Sequence, residues 1–234
     1  MENNLNFDTF LFLSSKKIIL SVHQVKDFKS IYNHEISINN IDNEIDYEKL
    51  DDFLNENIFK VEKILDNFIK NINIIIETKD LFTVNISVKK DNHNKIIDPN
   101  TITYLLNDAK NQCDKTIEDK KIIHILIDSY LVDNKIYYDL PDKIDCENFS
   151  LDLSFICFSN SLIKKIEAIL KKYQITINQL LSANYVNKFL KNKDLDLFDM
   201  SKKIINGYNK NEVKLVRKKT RNKAFFEKFF DFFS

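Results

Sequence analysis

Phe149-Ser-Leu-Asp-Leu-Ser-Phe-Ile-Cys-Phe-Ser-Asn-Ser-Leu-Ile-Lys-Lys-Ile-Glu-Ala-Ile-Leu-Lys-Lys-Tyr173 changes its hydrophobic period once, and that change organises the chain. Over residues 149–155 apolar and polar residues alternate, and along the strand to 158 Leu151, Leu153, Phe155 and Cys157 share one face. Over 160–173 the spacing lengthens to three and four, and Leu162, Ile166, Ile169 and Leu170 form the inward stripe of a helix. A short strand at 175–181 and a helix at 183–190 follow. Strands that lead straight into amphipathic helices predict an α+β fold, mixed sheets with helices packed on them.

Towards the N-terminus the same alternation predicts strands at 121–130 and 135–140, with Asp133-Asn134 as the turn between them. Val84, Ile86 and Val88 mark a half-buried strand, and Asp98-Pro99 is a helix cap followed by proline at the first helical position. That helix carries Ile102, Leu105, Leu106, Ala109 and Cys113 inward. Farther back, Tyr47, Leu50, Leu54, Val61, Leu65 and Phe68 form one stripe of a helix over 47–69, capped by Asp46. Residues 11–13, 17–25, 31–38 and 72–77 read as strands, with Ser14-Ser15-Lys16 turning between the first two and 39–46 as a loop. Towards the C-terminus, 192–212 is polar, contains Gly207, and reads as a linker. The expected organisation is a first unit at 1–80, a second at 81–180, a final helix and linker at 181–212, and a separate tail at 213–234.

Composition narrows the function. The 234 residues carry 35 basic and 35 acidic side chains, so no overall basic excess points to nucleic acid. Gly207 is the sole glycine, and phosphate-binding loops need glycine where the backbone turns at positive φ or closes on a phosphate. No nucleotide cofactor is expected on that ground. Cys113, Cys146 and Cys157 form no close pair, and His23, His34, His93 and His124 show no ligand spacing. The thiols are therefore expected as reduced core residues, with no metal centre. No signal peptide opens the chain, and no apolar run nears the ~20 residues that span a bilayer, so a cytoplasmic protein is expected.

The tail carries the strongest local signal. On a helix, Phe225, Phe226, Phe229, Phe230, Phe232 and Phe233 fall within roughly 160° of arc. Lys223, Glu227, Lys228 and Asp231 take the opposite side, and Lys218, Lys219 and Arg221 precede them. An aromatic face beside a basic run suits a helix lying in the interface of an anionic membrane. The competing reading is a terminal helix packed on the protein's own core or on a partner. A further local feature is the acid-rich stretch Asp128, Asp133, Asp139, Asp142 and Asp145 near His124. It could be a metal or general-base cluster, but with neither ligand spacing nor a nucleophile it reads as solvated strand and turn.

The order of elements, together with the tail, resembles the cell-division protein FtsA, an actin-like family. Ile123-His-Ile-Leu-Ile-Asp-Ser-Tyr-Leu-Val-Asp133 is similar to the family's segment ending in Tyr-x-Val-Asp-Gly, with Asn134 in place of the glycine. Pro141, the strand at 149–158 and Leu181-Ser-Ala183 match the next elements of the family in the same order. The resemblance implies a partial actin-like (ribonuclease H-like) first half with an inserted strand-helix-strand subdomain. It also implies a membrane-targeting tail, division proteins as partners, and self-association. The departures are specific. Where the family has an Asp-x-Gly-Thr phosphate loop, this chain has Phe12-Leu-Ser-Ser15, and no second nucleotide-binding half precedes the tail. The family generally contacts the tubulin-like FtsZ through that missing half, so FtsZ remains an open partner that this chain's first half does not itself support. The expectation is a non-catalytic adaptor, peripheral on the cytoplasmic side of the inner membrane, binding anionic lipids and division proteins. The alternative is a pilus or secretion assembly platform of the same superfamily, binding a peptide of an inner-membrane subunit.

Overall fold

The structure, a computed structural model, describes residues 6–39, 44–97, 99–140, 145–190 and 195–213. Two sheets form its frame. The first has five strands. β1 (Phe7–Leu13), β2 (Lys17–Gln24) and β3 (Ser30–Ser37) run antiparallel, while β4 (Asn71–Ile76) lies parallel to β1 and β9 (Thr176–Ser182) parallel to β4. The strand order is β3-β2-β1-β4-β9. β1 and β4 are nearly continuous apolar runs, Phe10-Leu-Phe-Leu13 and Ile74-Ile-Ile76, because both of their faces are covered. On one face α1 (Tyr47–Leu65) and α3 (Asn160–Lys171) pack against Leu11, Leu13, Ile72 and Ile74. On the other, α4 (Ala183–Leu190) and α5 (Leu197–Ile205) cover Phe10, Phe12, Ile19 and Ile75.

The second sheet, in the order β5-β8-β6-β7, is antiparallel. Its strands are β5 (Phe82–Ile96), β6 (Lys120–Val132), β7 (Lys135–Tyr137) and β8 (Asp145–Ser159), with α2 (Pro99–Thr116) on one face. Here the two-residue alternation is direct. Leu151, Leu153, Phe155 and Cys157 meet Leu105, Ala109 and Cys113 of α2. Asp152 on the opposite face accepts hydrogen bonds from Ser87 (2.6 Å) and Ser129 (2.7 Å). Asp133 and Asn134 both take positive φ (46° and 67°), as the two-residue turn between β6 and β7 demands. In a chain so poor in glycine, Asp and Asn take over this left-handed role, again at Asp66 and Asp119.

Several expectations change. α1 ends at Leu65 rather than 69, because Asp66 caps it in the left-handed conformation and donates its N–H to the Glu62 carbonyl. Phe68 therefore leaves the apolar stripe and is 73% exposed. α3 and β9, grouped with a second unit over 81–180, pack with the first sheet instead, so the inserted sheet closes at Ser159. Residues 197–205 are helical, not linker. Asp196 caps α5 through a 2.7 Å bond from the Asp199 N–H, and Phe198, Met200 and Ile204 are buried. Asp98 and the tail helix of 214–234 lie outside the described residues.

The β1–β2 turn gives a first prediction. Ser14 Oγ accepts from the N–H groups of Lys16 (3.2 Å) and Lys17 (3.0 Å) and donates to the Lys17 carbonyl (3.1 Å). Ser14 is 2% exposed, so Ser14→Ala leaves these groups short of partners and lowers stability by about 1–2 kcal/mol, read as a lower urea midpoint at unchanged slope.

Candidate functional site

Phe225, Phe226, Phe229, Phe230, Phe232, Phe233, Lys218, Lys219, Arg221, Lys223 and Lys228 all lie outside the described residues. The structure instead draws attention to the junction between the two sheets.

The parallel strands β1, β4 and β9 end together, the position where open α/β sheets place ligands. A cavity of about 490 Å³ opens there, lined by Lys16, Glu77, Thr78, Lys79 and Asn184 among others. The amides of the β1–β2 turn beside it are already engaged by Ser14 Oγ. The acid-rich stretch does not converge. Asp128 accepts from Ser154 Oγ, Asp133 accepts from the amides of Glu147 and Asn148, and His124 faces the other way. Among the described residues no group of three His, Cys, Asp or Glu side chains is placed to hold a metal. All three cysteines are buried. Burial, reinforced by the neighbouring Cys113, pushes the Cys157 thiol up to about 12, which keeps it protonated at neutral pH.

The opposite side of β9 is more distinctive. β9 is an edge strand, and β6 is paired with β7 only over Tyr130–Val132. Ahead of that stretch, residues 209–213 run as a strap along β6. The Val213 N–H donates to the Ile125 carbonyl (2.8 Å) and the Ile127 N–H to the Asn211 carbonyl (2.9 Å), with Leu126 opposite Glu212. Among the described residues, nothing pairs with the same edge of β6 at 120–124. There it faces the free edge of β9 across a groove of about 400 Å³, lined by Lys121, Ile122 and Ile123 of β6, Ile177, Asn178, Gln179 and Leu180 of β9, and Glu167 of α3, with a mostly polar exposed surface. A bulge between Ile122 and His124 shifts the register of β6 and turns Ile123 into the core of the first sheet, while Ile122 stays with the second.

One end of the groove is closed by a buried polar network. His124 Nε2 accepts from the Ser182 N–H (3.1 Å), so the ring proton sits on Nδ1 and is donated to Glu212 Oε1 at 2.7 Å. Tyr185 Oη donates to Glu212 Oε2 (2.9 Å) and accepts from Asn209 Nδ2 (2.8 Å). Burial raises the Tyr185 phenol above its ordinary range, which keeps it a donor. The side chains of His124 and Glu212 are 3% and 9% exposed. β6, β9, α4 and the strap are thus bonded at one point. The arrangement positions backbone and offers no nucleophile. Nothing in the polar composition of 192–212 singled out Glu212, although Asp196 before Leu197-Phe198 and Gly207 after Ile204-Ile205 are readable helix signals.

No protein-family model matches the chain, and no curated protein sequence matches it. Several solved structures are similar to it at low identity. The cytoplasmic domain of EpsL, an inner membrane component of the type II secretion system of Vibrio cholerae, is 13% identical over 77% of this chain and 57% of that one, with a TM-score of 0.38. The PilM-PilN type IV pilus biogenesis complex is 8% identical over 78% of this chain and 49% of that one, at 0.44. A Bacteroides thetaiotaomicron protein with an actin-like ATPase fold and unknown function is 11% identical over 80% and 56%, at 0.32. The chain spans about half the length of these structures.

Proposed function

We propose that this chain is a non-catalytic adaptor that captures an extended peptide in the groove between β6 and β9, as an assembly platform of the pilus or secretion kind. The observation that carries the reading is the pair of strand edges, β6 at 121–123 and β9 at 177–180, facing each other across a mostly polar groove. A peptide added there would gain ladder hydrogen bonds for affinity and seat alternate side chains for selectivity. The Ser182 N–H points across the groove to His124, and two residues back the N–H and C=O of Leu180 point the same way. The partner in this reading is the non-membrane end of an inner-membrane subunit, and the Phe-rich tail is the protein's own contact with anionic lipid. EpsL and the PilM-PilN complex belong to secretion and pilus assemblies rather than to division. No helix among the described residues is long and apolar enough to cross a membrane.

The test uses fluorescent synthetic peptides tiling the non-membrane ends of the inner-membrane subunits encoded beside this gene. One peptide is expected to bind saturably in the micromolar range. Leu180→Pro removes an edge donor without leaving strand geometry and weakens that binding at least tenfold. Saturable binding that Leu180→Pro leaves unchanged would place the docking site elsewhere. Strongest binding by division-protein peptides would return the reading to an FtsA-like adaptor.

A further inference from the structure

We infer that the joint between β6 and β9 is a proton-operated catch: uptake of a proton by His124 breaks its bond to Ser182 and frees the inner end of the groove. Hydrogen-bond arithmetic carries the argument. A neutral imidazole has one donor and one acceptor, and here both are used. Nδ1–H is donated to Glu212 Oε1 at 2.7 Å, and Nε2 accepts from the Ser182 N–H at 3.1 Å. A second ring proton goes on Nε2, where it meets that N–H donor to donor. A hydroxyl partner could rotate and accept instead. A backbone amide only donates, and the pairing of β9 with β4 fixes its direction. His23 supplies the contrast, since it is as buried as His124, each 4% exposed. Its Nδ1 donates to the Phe28 carbonyl (3.2 Å) and its Nε2 accepts from Ser21 Oγ (2.7 Å). On protonation of His23 the Ser21 hydroxyl turns from donor to acceptor and no bond is lost.

The surroundings of His124 decide which bond gives way. From the strap, Glu212 faces Nδ1 as a carboxylate whose second oxygen accepts from Tyr185 Oη of α4 at 2.9 Å. The Tyr185 phenol stays protonated, since burial raises it above its ordinary range. β9 carries no charged side chain. β8 sets Ile156 opposite His124, and α5 brings Ile204 and Ile205 to the same cavity. On β6 itself the nearest charged residues in sequence, Lys121 and Asp128, are exposed, and Glu167 of α3 lines the groove with Lys121. Imidazole is the side chain whose charge ordinarily changes between about pH 5 and 8. Once charged, it gains an ion pair with Glu212 and loses its bond to Ser182, so the ring stays with the strap and lets β9 go.

The consequence for peptide capture rests on the docking reading; the catch itself does not. With the joint made, the groove between residues 121–123 and 177–180 ends at His124. With it broken, the Ser182 N–H joins that of Leu180 as an open donor on the edge of β9, because residues two apart on a strand point the same way. The ladder offered to a peptide then lengthens by one bond as the pH falls.

The experiment is an NMR titration of the full chain from about pH 7.5 to about pH 5, reading the two ring nitrogens of His124 and the exchange protection of backbone amides, corrected for the intrinsic effect of pH on exchange. As Nε2 gains its proton, protection of the Ser182 amide is expected to fall at least tenfold. The Ile127 and Val213 amides, which hold the strap, should keep theirs. In H124Q the side-chain carbonyl can still accept from Ser182 and takes up no proton, so Ser182 stays protected throughout. Ser182 protection that persists while Nε2 is protonated would overturn the inference. So would an Nε2 that stays bare to the end of the titration, or an equal loss of protection in H124Q, which would assign the opening to another group. Should H124Q fail to fold, the wild-type titration decides alone. With any peptide found by the capture assay, wild type should bind several-fold tighter at the acid end than at the neutral end, and H124Q equally at both. A joint that opens with pH but captures no peptide would keep this inference and sink the docking reading. Peptide capture with a joint indifferent to pH would do the reverse.

Discussion

Replacing Glu212 by alanine lowers the stability of the fold by about 3–5 kcal/mol and frees the strap from β6. The carboxylate accepts from His124 Nδ1 at 2.7 Å and from Tyr185 Oη at 2.9 Å. Its removal leaves two buried donors unmatched, each costing about 1–3 kcal/mol, and ends two charge-assisted bonds. His124 and Tyr185 have nowhere to turn, since their rings lie 4.5 Å apart and both side chains are enclosed. Tyr185→Phe should cost less, about 1 kcal/mol, because Glu212 keeps its bond to His124. Urea unfolding measures both losses. Amide exchange at Ile127 and Val213 shows whether the strap opens before the rest of the fold. A loss under about 1 kcal/mol for Glu212→Ala would mean that water takes over the carboxylate's bonds and that the network does not tie the strap to the sheets.

On anionic vesicles the intact chain is expected to pellet, and a chain carrying Phe226→Ser, Phe229→Ser, Phe230→Ser and Phe233→Ser to stay in solution. Partial insertion of several phenylalanines supplies roughly 5–10 kcal/mol before ordering costs. Each nearby Lys or Arg adds about 1 kcal/mol on an anionic leaflet. Removing four rings should therefore lower the partition coefficient at least a thousandfold. Raising the salt should weaken binding through Lys218, Lys219, Arg221, Lys223 and Lys228 without abolishing it, because the aromatic contribution is not screened. If neither chain pellets, the phenylalanine face belongs to a protein surface.

The two sheets were legible in the chain to different degrees, for a physical reason. Residues 149–155 of β8 alternate because one face meets α2 and the other carries Ser150, Asp152 and Ser154, so the inward set there could be named residue by residue. β1 and β4 are buried on both faces, and a short apolar run gives a strand without saying what covers it. The helix at 183–190 was readable, but its place on the second face was not, and α5 was read as linker. The end of α1 was missed because Asp66 takes the left-handed role usually read from glycine. The groove was out of reach for a different reason. Whether an edge is free depends on which strands end up side by side, and β6 and β9 are some fifty residues apart in sequence. Glu212 looked like the end of a linker, since a carboxylate in a polar stretch carries no mark of the histidine it will meet.

The strap has one more consequence, which concerns distance. Its last bond, at Val213, lies beside the groove. Seven residues separate that bond from Arg221, where the basic and aromatic tail begins, and seven residues fully stretched reach about 25 Å. With its tail on a bilayer, the protein is moored by a short leash whose fixed end is the docking groove itself. A peptide rooted in the same bilayer would then meet the groove within a layer a few nanometres deep, at an effective concentration far above its bulk value. Contacts of only micromolar strength would suffice for capture in that layer, whereas at its bulk concentration the same peptide free in solution would fill the groove far less often.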